Sequence, residues 1–377
     1  MHTINIGYGR RLFQKDNSER ERLAFCASAT EGLHLIVFTL KKEGLMEESV
    51  TPTFSLYPTH SRSRSLMMFD AYRIARRIAR ARKQKEEWCV TAQDPLAAGV
   101  VGYFVRMRTG LPLIVEEHGD IFSGSFWRTE TWSHQLWYFV ARFIIRRADR
   151  VRAVSKRVAT HLLSMGVHQE KIVILPVFSD ILSVREKTVG QDLRKLFPES
   201  SPRILSVARF VSQKNLLLLL CTFAALYREL PGARLVVVGS GPLKGVLKRD
   251  VVSLHLESAV SFLPWSDDVF SLMKTADIYA LSSNYEGWAR VLIEAMACGL
   301  PAVTTEIGCV GEIWENGVHG ISVPVGDEKA FAGALLRLAS DSEKRKEYGA
   351  AGMRDASQIF KDKLSYARAW AAIFSVS

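Results

Sequence analysis

Two glutamates eight positions apart are the first residues of this sequence whose types and spacing suggest chemistry. They are Glu286 and Glu294, in NYEGWARVLIEAMACGLPAV at residues 284–303. Gly299 and Pro301 end the helix that this stretch predicts, so Glu286 lies on the preceding loop and Glu294 inside the helix. A rise of 1.5 Å per residue separates the two carboxylates by on the order of 10 Å. That separation exceeds the roughly 5 Å of a retaining glycosidase pair and suits binding the two ends of an elongated ligand.

Further candidates are ambiguous when each is taken alone. Arg209 and Lys214, five positions apart in SVARFVSQKN, are either solvated surface charges or a site for an anion. Gly239 and Gly241 in VVVGSGPL form either a tight turn or a place where the backbone approaches a nucleotide closely. His118 ends the predicted strand LPLIVEEH, where a histidine is either structural or functional.

Alternating strands and helices must position these residues. Short apolar runs separated by amphipathic helical segments predict βαβ units and a parallel sheet, here twice. Ligands bind such sheets at the carboxyl ends of the strands, where loops lead into helix N-termini. The predicted strands span residues 4–6, 33–40, 111–118, 149–155 and 171–177 in the first half, and 203–208, 233–241, 277–283, 300–305 and 319–325 in the second.

The predicted fold class is α/β, with two Rossmann-like doubly wound domains that face each other across a cleft. Because the chain has 377 residues, one ordinary core is too small for it. We predict a first domain at residues 1–182, a linker at 183–201 and a second domain at 202–357. The segment 358–377 is predicted to form a helix that returns to the first domain.

Composition narrows the class of protein further. Residues 1–180 contribute nine units of the net charge of +11, so the first half is expected to face an anionic partner. Five cysteines without CxxC spacing indicate neither a zinc site nor a disulfide framework. The N-terminus lacks the apolar core of a signal peptide, and no apolar run reaches the roughly 18 residues of a membrane span. We therefore expect a cytoplasmic protein, soluble or peripheral on the inner face of the cell membrane.

The stretch EGWARVLIEAMACGLPAVTTEIGCVGEIWENGVHGISVPVGD carries a family resemblance. It resembles the C-terminal signature of the family-4 retaining glycosyltransferases, the glycosyl transferases group 1, which have the two-Rossmann GT-B fold. Their E-x7-E element is met by Glu286 and Glu294, and SS-x-x-EG, EAMACGLP and G-x-x-x-E also match. The resemblance implies transfer of a hexose-type sugar from a nucleoside diphosphate sugar to an acceptor hydroxyl, on a lipid-linked or cell-surface glycan precursor. It also implies that neither a metal nor another cofactor is needed.

Roles for individual residues follow from the same resemblance. Arg209 and Lys214 would neutralise the leaving diphosphate without a metal, which is physically sound for two cations at a strand-to-helix loop. Glu286 would bind hydroxyls of the donor sugar, with His118 near the transferred sugar. The implied catalytic residues are His118, Arg209, Lys214 and Glu286.

Donor-binding positions are implied in the same way. Glu294 would hold the ribose, and the backbone of residues 287–289 would approach the sugar and the diphosphate. Glu312 would be either a further donor contact or an acid at a helix N-terminus. The implied donor-binding residues are Gly239, Gly241, Leu263, Gly287, Trp288, Ala289, Glu294 and Glu312.

Three places depart from the family pattern. Asn17-Ser18-Glu19-Arg20 replaces the glycine-glycine loop after the first strand, so the acceptor and diphosphate contacts of the loop at 7–20 are not implied here. Pro264, in SFLPWSDD at 261–268, replaces a glycine and removes a backbone N–H group. The segment 176–180 lacks the asparagine-glycine that usually follows its proline.

Two stretches of the first half suggest what its positive charge contacts. Residues 60–85 hold nine Lys/Arg and one Asp, and Arg73, Arg76, Arg77 and Arg80 share one face of the predicted helix. This helix either has a solvated basic side or lies on an anionic membrane. The stretch at 126–150 is rich in aromatic residues and arginines. Its aromatic side chains either fill the core of the domain, lie at a lipid interface or line the acceptor site.

Three other functions remain open at this level. A non-hydrolysing UDP-sugar 2-epimerase shares the fold and would isomerise the donor alone. A nucleic-acid-binding protein would account for the pI near 9.5, although no recognition motif accompanies the charge. An inactive GT-B scaffold is the third, because the loop at 7–20 is altered. Sugar, base, acceptor and oligomeric state are not encoded in spacing.

Overall fold

The computed structural model describes residues 1–82, 87–266, 268–359 and 362–375, except for the side chains of residues 182, 183 and 185. The predicted segments 60–85, 261–268 and 358–377 therefore each include residues outside the described ranges. Among the described residues, no helix is long and apolar enough to cross a bilayer.

The chain divides into two compact units, each with its own sheet. The first comprises Met1–Pro176 and Asp362–Ser377, and the second comprises Val177–Lys361. The predicted linker at 183–201 lies within the second unit because its backbone bonds to a helix there. Gly190 N donates to Ser271 Oγ at 2.8 Å, and Leu193 N donates to Thr275 Oγ1 at 3.0 Å.

An eight-stranded sheet forms the centre of the first unit. Its order is β3-β4-β2-β1-β5-β6-β7-β8, with every pair parallel except β3–β4. Buried apolar residues such as Ile4, Ile6 and Leu35 make the middle strands inaccessible on both faces, as parallel sheets require. The strands are β1 His2–Gly7, β2 Gly32–Val37, β3 Glu48–Thr51, β4 Phe54–Pro58, β5 Trp88–Ala92, β6 Leu113–Glu117, β7 Arg150–Ala153 and β8 Ile172–Ile174.

Seven described helices belong to the first unit. The last of them in the chain, Lys363–Ala372, packs on the first, Ser18–Ala27. Helix Met67–Arg80 packs on Ala97–Thr109, which also contacts Trp132–Arg147. They are α1 Ser18–Ala27, α2 Met67–Arg80, α3 Ala97–Thr109, α4 Phe126–Glu130, α5 Trp132–Arg147, α6 Lys156–Ser164 and α15 Lys363–Ala372.

A six-stranded, wholly parallel sheet forms the centre of the second unit. Its order is β11-β10-β9-β12-β13-β14, so β9 lies next to β12 although two strands separate them in the chain. Its core includes Phe210, Phe223 and Phe331, each fully buried. The strands are β9 Arg203–Val207, β10 Arg234–Val238, β11 Val260–Leu263, β12 Ile278–Leu281, β13 Ala302–Thr305 and β14 Gly320–Val323. The helices are α7 Ile181–Glu186, α8 Leu193–Leu196, α9 Leu216–Glu229, α10 Lys244–Ser253, α11 Val269–Thr275, α12 Arg290–Ala297, α13 Glu328–Ser340 and α14 Ser342–Ala356.

Candidate active site

Lys214 and Glu286 meet at the carboxyl ends of the adjacent strands β9 and β12. Lys214 ends a single 3-10 turn after β9, and Glu286 lies on the loop between β12 and α12. Lys214 Nζ donates to Glu286 Oε1, which also accepts from Ser283 Oγ at 2.9 Å. Only 15% of the lysine side chain and 13% of the glutamate side chain are exposed. A cation and a carboxylate predicted from separate motifs therefore form one half-buried pair.

Polar side chains bind the two loops together around this pair. Asn215 Nδ2 donates to Asn284 Oδ1 at 3.0 Å, and Asn284 N donates to Gln213 O at 2.8 Å. Ser282 Oγ donates to Lys214 O at 3.0 Å. Sequence reasoning missed these positioning residues, although Ser282 and Ser283 lie in the quoted SS-x-x-EG element.

Gly239 and Gly241 bring the loop after β10 against the loop that carries Arg209. A Cβ atom on Gly239 would lie 2.0 Å from Ala208 O, and one on Gly241 would lie 2.5 Å from Phe210 O. Gly239 N donates to Leu263 O at 3.0 Å, which places Leu263 at the same edge of the sheet. Arg209 itself is exposed. The two glycines therefore allow close contact between backbone segments of this chain.

The backbone N–H groups at the start of α12 are not hydrogen-bonded by a capping side chain. Its N-cap residue, Ala289, has φ 54° and makes no side-chain cap, and no acidic residue lies in the first turn. The indole N–H group of Trp288 is buried without a hydrogen-bond partner among the described residues. A buried donor without a partner is costly, so a ligand at this loop would stabilise it.

Glu294 lies in α12 beside a cation of the same helix. Arg290 Nε lies 2.9 Å from Glu294 Oε1, and 14% of the glutamate side chain is exposed. Burial raises the pKa of Glu294, although the Arg290 charge and its hydrogen bond act in the opposite direction. A partly buried carboxylate of this kind can accept hydrogen bonds from the two hydroxyls of a ribose.

The loop after β13 packs along the Glu286 loop. Gly308 N donates to Glu286 O and Cys309 N to Trp288 O, each at 3.1 Å, so Gly287 is held between two anchored carbonyls. Glu312 lies in a turn formed around the Cys309 carbonyl, which accepts from Glu312 N at 3.1 Å. The alternative of Glu312 as an acid at a helix N-terminus is therefore wrong.

His118 belongs to the other unit, at the carboxyl end of β6. Its Nε2 lies 3.1 Å from Glu116 Oε2, and 37% of the imidazole side chain is exposed. Glu116 also bonds to Arg152 Nη1 on the neighbouring strand β7. Burial alone would raise the pKa of Glu116, but Arg152 and His118 lower it to about 2. The carboxylate is consequently ionised and accepts from both neighbours.

The altered loop after β1 starts a helix in place of a glycine-rich turn. Asn17 caps α1, with Oδ1 accepting from Glu19 N at 3.0 Å and Arg20 N at 3.2 Å. The Arg20 side chain turns away from solvent and pairs with Glu48. The residues that replace the family's two glycines therefore have a structural role in this chain.

Two known families match the chain over separate ranges. Residues 191–355 match the family described as Glycosyl transferases group 1. Residues 27–177 match the Glycosyl transferase 4-like domain. The first range contains Lys214 and Glu286, and the second contains His118.

Two curated proteins are similar to part of the chain. The chain is 29% identical over 224 residues to N-acetyl-alpha-D-glucosaminyl L-malate synthase of Bacillus anthracis, covering 59% of this chain and 58% of that protein. It is 31% identical over 235 residues to the N-acetylgalactosamine-N,N'-diacetylbacillosaminyl-diphospho-undecaprenol 4-alpha-N-acetylgalactosaminyltransferase of Campylobacter jejuni, covering 60% and 62%. The matched region thus spans less than two thirds of either relative.

A solved structure is similar over the whole chain. The crystal structure of Anabaena HepE in complex with UDP and glucose has a TM-score of 0.75 and 20% identity, covering 100% of both chains. This likeness shows a shared fold and confirms the prediction of the GT-B class.

Proposed function

Because the chain belongs to the glycosyl transferases group 1, we propose that it is a retaining glycosyltransferase. It transfers a hexose-type sugar from a nucleoside diphosphate donor to an acceptor hydroxyl. The acceptor is a lipid-linked or cell-surface glycan precursor. The observation that carries the proposal is the half-buried pair of Lys214 and Glu286 at the carboxyl ends of β9 and β12.

Opposite charges at this pair suit the two parts of a sugar nucleotide. The ammonium group of Lys214 neutralises a diphosphate oxygen, while the carboxylate of Glu286 accepts from sugar hydroxyls. Arg209 adds a second cation, and its exposed guanidinium forms no ion pair with the described part of the chain. Two cations stabilise the charge of a leaving diphosphate, so the reaction is proposed to need no metal.

Other contacts at the same edge extend this site toward the nucleotide. The N–H groups at the start of α12 have no side-chain cap. Together with the positive end of the helix dipole, they favour binding of an anion such as the diphosphate. Glu294 accepts from the ribose, and the loops at Gly239, Gly241 and Leu263 approach the base side. The crystallised HepE binds UDP and glucose, which is why uridine is the first base to test.

A lipid-linked acceptor is supported by two cavities that share helix α2. One, of about 760 Å³, is lined mainly by arginines and by Asp70. The other, of about 330 Å³, is apolar and lies between α2 and α3. Arg73 lies 5.9 Å from the centre of the Phe69 ring and Arg76 lies 5.6 Å from the Tyr72 ring, so the basic side borders the apolar side. Such a border suits an amphiphile with an anionic head and an apolar chain.

The same face of the first unit suits an anionic membrane surface. Large apolar side chains are exposed on α3 and α5, with Met107 at 64%, Phe139 at 66% and Trp132 at 84%. Arginines of α5 stand beside them, and Arg147 lies over the Phe143 ring at 5.3 Å. Exposed aromatics interleaved with arginines favour the interface of an anionic bilayer. The relative from C. jejuni has a diphospho-undecaprenol substrate in its name, which agrees with this kind of acceptor.

A transfer assay without metal tests the central proposal. The protein is incubated with UDP-glucose, UDP-galactose, UDP-N-acetylglucosamine or GDP-mannose, in EDTA, with and without a short-chain polyprenyl diphosphate sugar. We expect release of one nucleoside diphosphate that depends on the acceptor, and NMR of the product shows the donor's anomeric configuration retained. Lys214→Met lowers kcat by roughly 10²-fold or more. The matched control is Lys346→Met, which removes a lysine 73% exposed beside Glu343.

Other outcomes identify the alternatives. Isomerised donor in the absence of acceptor would indicate the epimerase. Absence of turnover with every donor, in a folded protein, would indicate the inactive scaffold. An inverted product would overturn the retaining mechanism while leaving the transferase in place.

Vesicle sedimentation tests the membrane surface separately. We expect binding to vesicles containing phosphatidylglycerol, weakened by salt, and none to pure phosphatidylcholine. The triple variant Arg73→Gln, Arg76→Gln, Arg80→Gln should lose about 1 kcal/mol per arginine, or roughly 10²-fold in affinity. A control variant removes the exposed Lys344, Lys346 and Arg354 of α14. Equal losses of vesicle affinity in both triple variants would contradict a membrane-binding surface on α2.

A further inference from the structure

One carboxylate oxygen joins His118 to a buried arginine. Glu116 Oε2 lies 3.1 Å from His118 Nε2 and also accepts from Arg152 Nη1. The Glu116 and Arg152 side chains are each only 5% exposed, whereas His118 is 37% exposed. The histidine is therefore the accessible end of a buried polar chain.

Arg152 is fixed by three further hydrogen bonds. Its Nε donates to Leu175 O at 3.1 Å, and its Nη2 donates to Pro176 O at 3.2 Å and to Tyr366 Oη at 3.1 Å. Tyr366 of α15 in turn donates to Pro176 O at 2.9 Å. A guanidinium held at all three nitrogens cannot rotate, so the position of the Glu116 carboxylate is fixed as well.

The loop beyond His118 is anchored from the other face of β6. Glu117 Oε1 accepts from Gly119 N at 3.0 Å and from Ile121 N at 3.3 Å. Asp120 has a φ angle of 54°, and its Oδ1 atom lies 2.7 Å from His161 Nδ1. The two consecutive glutamates thus act in different ways, since Glu116 holds the imidazole ring and Glu117 holds the backbone that follows it.

We propose that Glu116, supported by Arg152 and Tyr366, is a positioning residue that fixes His118 as the Nε2–H tautomer and leaves Nδ1 to accept from a sugar hydroxyl. This assignment rests on the proposed function, because it gives the hydroxyl of a sugar substrate as the ligand of Nδ1. An ionised carboxylate only accepts hydrogen bonds, so the Nε2 atom bonded to it must carry the proton. In the neutral ring the other nitrogen is then the acceptor.

The tautomer is measured on the unaltered protein. Two-dimensional ¹⁵N–¹H NMR of histidine-labelled protein, at a pH where the ring is neutral, distinguishes the Nε2–H from the Nδ1–H form. The His118 signals are assigned by their loss in His118→Asn. We expect the Nε2–H pattern, with Nδ1 shifting when substrate is added. An Nδ1–H pattern would overturn the assignment whether or not the protein is an active transferase.

Variants test whether this position matters for turnover. Glu116→Leu keeps a buried side chain of similar size but removes the oxygen that accepts from Nε2, so the ring also adopts the Nδ1–H form and kcat falls by roughly 10²-fold with KM for the donor little changed. In a His118→Ala background the same substitution should change kcat less than about twofold, because residues that act as a unit are not additive. Independent, multiplicative losses would overturn the proposal.

Two further variants separate positioning from folding. Glu116→Leu with Arg152→Met removes both buried charges together, so no uncompensated charge remains if the single variant fails to fold. Glu170→Leu is the matched control, since Glu170 also lies two positions from a histidine, His168, but both side chains are about three quarters exposed, at 76% and 74%. We expect the control to change neither tautomer nor kcat. A protein inactive in every form would refute the proposed function, and the NMR result would still decide the tautomer.

Discussion

At the scale of single residues, the surroundings of the neighbouring glutamates Glu116 and Glu117 shift their pKa values in opposite directions. Glu116 is ionised because Arg152 and His118 outweigh its burial. Burial, with a smaller contribution from the nearby Asp120 charge, raises the pKa of Glu117 to about 8. The Glu117 Oε2 atom is buried without a partner among the described residues. A protonated Glu117 at neutral pH is the consequence.

Stability should therefore depend on pH through Glu117. Its pKa in the folded state lies above the unfolded value of 4.5, so stability present below pH 4.5 is lost as the pH rises toward 8. Glu117→Gln keeps an accepting oxygen without that charge. We expect the Tm of the variant relative to the native protein, measured by calorimetry, to increase between pH 5 and pH 8 and to level off above that. Glu170→Gln is the control, and parallel pH curves for Glu117→Gln and the native protein would contradict the raised pKa.

At the scale of elements, the order of strands determines which residues meet. Lys214 follows β9 and Glu286 follows β12, and these strands are neighbours in the sheet although they are not consecutive in the chain. Crossing connections on either side of β9 create the switch in strand order at which ligands bind in such sheets. The loop from β10 then completes the edge next to Arg209.

The close contact between the backbone at Gly241 and that of Phe210 should be essential to the structure at the carboxyl ends of β9 and β10. In Gly241→Ala the new Cβ lies 2.5 Å from Phe210 O and 2.7 Å from Phe210 N, so the loop bearing Arg209 must move. We expect a loss of about 1–3 kcal/mol in unfolding free energy and a reduced kcat. Gly333→Ala in α13 is the matched control. Nothing lies within 4 Å of its new Cβ, so it should gain about 0.5–1 kcal/mol. Equal effects of the two substitutions would contradict the close contact.

Sequence patterns predicted most strands and helices, but not which strands lie next to each other in the sheets. Strands such as β6 and β10 were predicted because buried parallel strands read as continuous apolar runs. The strands β3, β4, β5 and β11 were missed, because polar residues interrupt their apolar residues in ESVT, FSLYP, WCVTA and VSFL. The resemblance supplied Lys214 and Glu286, but their pairing depends on strand order. The roles of Ser283 and Glu116 depend on the same long-range placement.

At the scale of the whole molecule, the C-terminal segment completes the first unit. The chain leaves that unit after Pro176 and re-enters it at Asp362. Trp370 and Phe374 are 4% and 1% exposed, and their rings lie 4.5 Å apart at 85°. Distant parts of the sequence therefore share one core, whereas the second unit is continuous in the chain.

Removing this shared packing should destabilise one unit selectively. Trp370→Ala is expected to cost the first unit about 3–5 kcal/mol, through lost burial and the cavity left behind. The affinity of the second unit for nucleotide should not change, which denaturant unfolding and calorimetric titration measure on the same sample. Leu364→Ala, on the same helix with 47% exposure, is the control. A parallel loss of nucleotide affinity would contradict the division into separate cores.

The most direct test of the donor site is binding of nucleotide by the whole protein without metal. UDP, GDP, ADP and their common sugar conjugates are screened by thermal shift in EDTA, with the native chain, Glu294→Ala and Arg290→Ala. A ligand at a hundred times its Kd stabilises by about 2.7 kcal/mol. We expect one nucleotide to raise the Tm of the native protein and of Arg290→Ala, and to have a weaker effect on Glu294→Ala. A lack of shift with every nucleotide would contradict the site described around Lys214, Glu286 and Glu294, and an equal shift in all three proteins would contradict the ribose contact of Glu294.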